Sequence, residues 1–156
     1  MDKQTNIDST NAGPTGIQRA GGIEASEAWQ DDRLQEALHV LVVDDNADVS
    51  TAMGMLLRLL GHSVSIAGSG EEALLLAAKI APRIAFLDIG LPDMDGLELA
   101  RRLRRQFPSK TELLLVAVTG YDQAQDRRNA MAAGFDELLP KPVGRDVIDA
   151  LLQSVR

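Results

Sequence analysis

Five short apolar runs, each followed by a stretch with helical spacing, constrain this chain more than any other feature. The runs are Leu38–Val43, His62–Ala67, Arg83–Asp88, Glu112–Val118 and Phe135–Leu139. They are short and rich in β-branched residues, which suits strands buried on both faces; the second alternates polar and apolar residues, as an edge strand does. Between and after them lie segments with apolar residues three and four apart. Ala47–Leu60 repeats Val49, Met53, Leu56, Leu57 and Leu60, with Gly61 as its stop. Glu71–Lys79 is rich in Ala and Leu. Gly96–Gln106 turns Leu97, Leu99, Ala100 and Leu103 inward and Arg101, Arg102, Arg104 and Arg105 outward, the arginines reading as a solvated face. Asp122–Ala133 is stopped by Gly134, and Val143–Val155 closes the series with Val147, Ile148, Leu151 and Leu152 inward. Each crossover is long enough for a parallel βαβ unit, so the expected fold is a doubly wound α/β domain. It has a five-stranded parallel sheet with five helices on its two faces.

Composition limits what such a domain can do. Aromatic residues are only 3% of the 156, so Leu, Val, Ile, Ala and Met must build the core. A net charge of -7 argues against general affinity for nucleic acid or an anionic membrane surface. The absence of cysteine excludes disulfides, thiolate metal sites and cysteine nucleophiles. No apolar run approaches the roughly 20 residues that span a bilayer, and the polar start Met1–Asn6 is no signal peptide, so a cytoplasmic location is expected. Residues 1 to about 22 are mostly polar and Gly-rich and read as a disordered tail. Ser26 can cap a short helix carrying Trp29, Leu34 and Leu38. The expected organisation is a disordered or partly helical segment 1–36 and one domain, 37–156.

The stretch Ile84–Gly96 carries the chemistry. An apolar strand ends in a lone carboxylate, Asp88, and Pro92, Asp95 and Gly96 lead into the next helix. In an open α/β sheet the carboxyl edge is where ligands sit. The same edge should receive Asp44 and Asp45 from strand one, Thr119 from strand four and Lys141 after strand five. Three crowded carboxylates repel one another unless a cation neutralises them. A hard divalent ion with oxygen ligands, Mg²⁺ above all with Mn²⁺ as a substitute, meets that need and binds phosphate oxygens. With Lys141 and Thr119 opposite, the set surrounds a phosphoryl group, and the nucleophile is a carboxylate.

The acidic pair Asp44-Asp45, the loop Asp88-x-x-x-Pro92-x-x-Asp95-Gly96, Thr119-Gly120 and Lys141-Pro142 together resemble the receiver domain of two-component response regulators, from about Leu38 to Arg156. The run Thr119–Gln123 with Asp126-Arg127-Arg128 and Ala133–Asp136 is most similar to receivers of hybrid histidine kinases and stand-alone receivers. The resemblance implies a flavodoxin-like receiver fold, a doubly wound α/β domain with strand order 2-1-3-4-5. It implies Asp88 as acceptor of a phosphoryl group from phosphohistidine, Asp45 as a direct Mg²⁺ ligand, Asp44 as holder of metal-bound water, and the Gly90 carbonyl as a further ligand. Thr119 and Lys141 would contact phosphoryl oxygens, and the Lys141–Pro142 bond is expected to be cis. The family's switch aromatic corresponds to Leu138. The positions flanking the attacking water match Gly90 and Tyr121, so slow self-dephosphorylation is expected.

The implied partner is a sensor histidine kinase or a histidine phosphotransfer domain. The stripe Ala52, Met55 and Leu59 on the first helix reads either as its docking face or as packing against the last helix. No nucleic acid, no membrane, and a monomer or weak dimer are expected. No effector domain is expected after Arg156, and protein–protein signalling or phosphate shuttling is the expected output. The alternatives are a receiver fragment of a hybrid histidine kinase, or a phosphatase of the haloacid-dehalogenase type; the latter expects a second Asp where Gly90 stands. His39 and His62 read as structural, and Gly68-Ser69-Gly70 as a plain turn.

Overall fold

The computed structural model describes residues 37–120 and 124–156. The expected tail 1–36, with Ser26 and Trp29, and the position of Tyr121 lie outside the described residues. The strands are β1 (His39–Val43), β2 (Ser63–Ala67), β3 (Ile84–Asp88), β4 (Leu114–Thr119) and β5 (Glu137–Pro140). They alternate with α1 (Ala47–Leu59), α2 (Gly70–Ile80), α3 (Gly96–Gln106), α4 (Ala124–Ala133) and α5 (Arg145–Ser154). All neighbours in the sheet are parallel, in the order β2-β1-β3-β4-β5. The doubly wound topology expected from the alternation is the one observed.

The period of two along the strands divides the core. Leu41, Val43, Ala85, Leu87, Leu115 and Ala117 face one side, where α2, α3 and α4 supply Ala73, Ala77, Leu99, Leu103 and Ala130. Val40, Val42, Ile84, Phe86, Val116 and Val118 face the other, where α1 and α5 supply Leu57, Ile148 and Leu152. Three helices cover one face and two the other. Small alanines on the first face let those helices approach the sheet closely.

Several local expectations shift. In α1 the fully buried face is Ser50, Gly54 and Leu57, so the expected stripe is buried at Leu57 and packs Met53, Leu56 and Leu60 against the core from the flank. A Cβ at Gly54 would lie 3.1 Å from Ile66 Cδ1, so glycine there brings α1 down onto β2. Val49 is left 38% exposed, and Met53, Leu56 and Leu60 are half-buried. The Gly-Ser-Gly segment is more than a turn. Ser69 caps α2, accepting from Glu72 N at 3.2 Å, while the Glu72 carboxylate accepts from Gly68 N at 2.8 Å.

Strand five starts later than the apolar run suggests. Gly134, at φ +115°, ends α4, and the Phe135 N–H is used to cap that helix at Ala130 O (3.1 Å). The run therefore enters the sheet only after Asp136. It then extends to Pro140, tolerated because β5 is an edge strand. Strand four begins at Leu114, since Glu112 and Leu113 N–H groups close a turn onto Ser109 O. Gly144 caps α5, so that helix begins at Arg145.

Arg104 departs from the solvated face assigned to it. Its guanidinium donates to Phe107 O (3.1 Å), Leu113 O (3.0 Å), Gly134 O (2.9 Å) and the Asp136 carboxylate (2.7 Å). Asp136 in turn accepts from Leu115 N at 2.8 Å. Glu98 pairs with Arg101 and Arg102 on the outer side of α3, as a solvated face does. His39 and His62 are structural as expected: His39 Nε2 meets Ser65 Oγ at 3.1 Å, and buried His62 accepts from Leu38 N at 3.0 Å.

Candidate functional site

The carboxyl edge assembles as the sequence implies. The Asp44 N–H extends the β1–β2 ladder to Ala67 O (3.1 Å), which fixes Asp44 just past the strand. Asp44 is buried, and one of its oxygens accepts from Asn46 N at 2.9 Å. Asn46 caps α1, its side-chain oxygen accepting from Asp48 N and Val49 N. Asp45, between them, is exposed. Asp88 ends β3, opposite Val118, and accepts from Gly90 N at 3.1 Å. One carboxylate oxygen from each of Asp44, Asp45 and Asp88 lies within 4.8 Å of the others.

Lys141 joins the cluster from the far side of the sheet. Its N–H donates to Thr119 O at 2.8 Å, continuing the β4–β5 ladder, and the Lys141–Pro142 bond is cis, as the family likeness implied. The ammonium lies 3.3 Å from an oxygen of Asp44 and 3.3 Å from one of Asp88. Burial works to lower the Lys141 pKa, but the charge of Asp88 and the hydrogen bond and charge of Asp44 outweigh it, so the net shift is upward and the lysine stays an ammonium. Thr119, buried at the end of β4, is one residue past the partner of Asp88 and so shares the edge. Leu138 is buried opposite Ala117 on the three-helix face.

The loop after Asp88 is held by four hydrogen bonds and one packing contact. Gly96 N donates to Ile89 O at 2.9 Å, and a Cβ on Gly96 would lie 2.5 Å from Ile89 Cα and 2.9 Å from Asp88 O, so only glycine permits this approach. Asp95 caps α3 through Leu97 N (3.0 Å). Asp93, which sequence reasoning did not single out, accepts from Gly70 N (2.8 Å) and Glu71 N (3.0 Å) with its two oxygens. These bonds lower its pKa. They tie the loop to the start of α2, and Met94 packs where a Cβ on Gly70 would stand. The only sequence signal for this clamp is a third acid in the loop, which names no partner.

The stripe Ala52, Met55 and Leu59 is exposed, with Met55 at 59% and Leu59 at 83%. Packing against α5 is therefore not its role among the described residues. Among these residues no helix is long and apolar enough to cross a membrane.

A parallel sheet with an acidic triad, a lysine and a hydroxyl at its carboxyl edge defines a class of open α/β domains whose site lies at the strand ends. The response regulator receiver domain family matches residues 40–153, and the chain belongs to that family. It is 36% identical over 106 residues to an uncharacterized 14.6 kDa protein in the sodA1 3′ region of Leptolyngbya boryana, covering 68% of this chain and 80% of that one. It is 38% identical to the probable transcriptional regulatory protein TcrX of Mycobacterium tuberculosis, covering 74% of this chain but 48% of TcrX. The chain thus spans about half the length of that regulator. Among solved structures it is similar to the chemotaxis protein CheY4 of Vibrio cholerae (TM-score 0.71, 26% identity, 77% of this chain and 99% of that one). It is also similar to a CheY-like receiver domain from Methanospirillum hungatei (TM-score 0.70, 28% identity, 76% and 94%). The chain is a receiver of two-component signalling, a family whose members interact with histidine kinases, and the phosphatase alternative is not favoured.

Proposed function

We propose that this receiver accepts a phosphoryl group on Asp88 from the phosphohistidine of a sensor kinase or a histidine phosphotransfer domain. The observation that carries the reading is the meeting of Asp44, Asp45 and Asp88 oxygens within 4.8 Å, with the Lys141 ammonium against two of them. An all-oxygen donor set of like charge fits a hard divalent cation, Mg²⁺ or Mn²⁺ in its place. Asp44, Asp45, Asp88 and the Gly90 carbonyl would hold it. When bound, the ion supplies compact positive charge beside the incoming phosphoryl oxygens.

The chain's own residues do the rest. An Asp88 oxygen attacks phosphorus, the N–P bond breaks, and the histidine nitrogen keeps the electron pair. Lys141 and Thr119 receive the phosphoryl oxygens, the lysine turning from its present carboxylate partners toward the new charge. The exposed stripe Ala52, Met55 and Leu59, beside the site on α1, supports docking of a donor helix. Leu138 lacks the ring polarity that couples to a hydroxyl, so the output is carried by backbone displacement at the ends of β4 and β5. The segment 1–36 lies outside this chemistry, and 37–156 acts as the domain.

Labelling with acetyl phosphate and Mg²⁺ tests the reading. One equivalent should enter the wild-type chain and none the Asp88→Asn variant. Equal labelling of both sinks it.

A further inference from the structure

The two-helix face of the sheet carries a cavity of about 360 Å³ whose apolar walls the phosphoryl chemistry leaves unused. That volume lies in the range of small-molecule sites, roughly 300–1,000 Å³. It is lined by Phe86 and Val118 of the sheet, Met53 of α1 and Ile148 of α5. Met53, half-buried, packs against the core of this face and lines the cavity from α1. One end is lined by Asp44, Asp88 and Lys141.

That end is electrostatically one-sided. Asp44 and Asp88 contribute two negative charges and Lys141 one positive, leaving an excess of one, to which Asp45, within 4.8 Å of both carboxylates, adds from outside the lining. A ligand with an apolar body and a cationic head matches both parts: the body removes apolar wall from water, and the head meets the excess carboxylate charge. A fatty anion would bury its chain equally well but set its head against that excess.

We propose that this cavity binds a small amphipathic cation of the primary alkylammonium class, its chain between α1 and α5 and its head at Asp44 and Asp88. The head draws on the same carboxylates as a divalent ion, so the two compete. Only the competition rests on the proposed metal site; the binding does not.

Titration of the full chain followed by heteronuclear NMR, with n-octylammonium, 1-octanol and octanoate as probes, tests this. Octylammonium should shift Val118 and Ile148 and half-saturate at a concentration roughly tenfold below octanoate, the size of effect expected of a partly exposed charge pair. Mg²⁺ should raise the octylammonium midpoint several-fold and leave that of octanol unchanged. Ala52 lines the cavity mouth and is exposed, so Ala52→Trp should obstruct entry and weaken octylammonium binding with the rest of the spectrum preserved. Leu75→Trp, on the exposed side of α2, should not. Octanoate or octanol binding as tightly as octylammonium, shifts confined to other regions, or no effect of Ala52→Trp overturns the proposal. If Mg²⁺ binds and octylammonium does not, the cavity assignment fails and the phosphoryl reading stands. If octylammonium binds and Mg²⁺ does not, the competition fails with the metal site, while the cavity assignment stands.

Discussion

Lys141 and Asp44, 97 residues apart in sequence, meet at 3.3 Å across the carboxyl edge of the sheet. The lysine bridges to Asp88 at the same distance, so one ammonium holds the ends of β1 and β3 together. It also occupies charge that a divalent ion needs. Replacing Lys141 by Met should tighten Mg²⁺ binding by roughly three- to tenfold, given about 0.5–1.5 kcal/mol for a partly exposed pair. The same variant should be labelled by acetyl phosphate far more slowly. Metal titration and labelling kinetics check the two opposite signs.

Two glycines of one loop should respond differently to a methyl group. At Gly96 the added Cβ meets backbone at 2.5 Å, whereas at Gly90 it meets nothing within 4 Å and φ is not in the left-handed region. Gly96→Ala should cost about 1–3 kcal/mol, as overpacking does, and disturb the turn below Asp88. Gly90→Ala should stay within about 0.5 kcal/mol. Denaturant unfolding of both variants decides it.

Asp93 makes part of the stability depend on acid. The Gly70 and Glu71 amides hold its carboxyl below the ordinary value of 3.8. A depressed folded-state pKa means the contribution is present above that ordinary value and is lost as pH falls through the lower one. The stability gap between wild type and Asp93→Ala should be constant near neutrality and close in stronger acid. Melting temperatures from pH 7 down to 2 show whether it does.

His62 acts in a higher window. Burial first, then the charge of Arg156, lowers its pKa from 6.5, against an opposing pull from Asp149. The unfolded chain therefore binds the proton before the folded chain does, and stability drops as pH falls below 6.5. Protonation also sets an N–H where the ring now accepts from Leu38 N. A His62→Gln variant should lose this slope. Its persistence between pH 7 and 5 would place the effect elsewhere.

Arg104→Met should be among the most destabilising single changes on any helix surface here. It strands three carbonyls and the Asp136 carboxylate, whose replacement bonds must come from water. A loss of about 2–4 kcal/mol is expected for such a network. Asp136→Asn should lose less, because the three carbonyl bonds remain.

The fold was legible because period two and period 3.6 alternate cleanly along the chain, and because strand ends in a parallel sheet share one edge. Asp44, Asp45, Asp88, Thr119 and Lys141 could be placed together on that ground alone. What stayed hidden depends on meetings between distant segments. Asp93 reaches Gly70 across 23 residues and Arg104 reaches Gly134 across 30, and neither side chain has a local pattern that names its partner. Gly54 was missed for another reason: hydrophobic periodicity counts large residues, while a close approach of α1 to β2 is made by the absence of one. Ser69 looked like punctuation because the glycines around it obscured a cap.

The Arg104 knot lies at the amino edge of β4 and β5, opposite the acidic cluster. β4 and β5 are thus tied at both ends: by the guanidinium at Leu113 and Asp136, and by the Lys141 N–H on Thr119 O with its ammonium on Asp44 and Asp88. The two ties differ in kind, since the first is a closed knot of carbonyls and the second hangs on one lysine that a new negative charge can draw away.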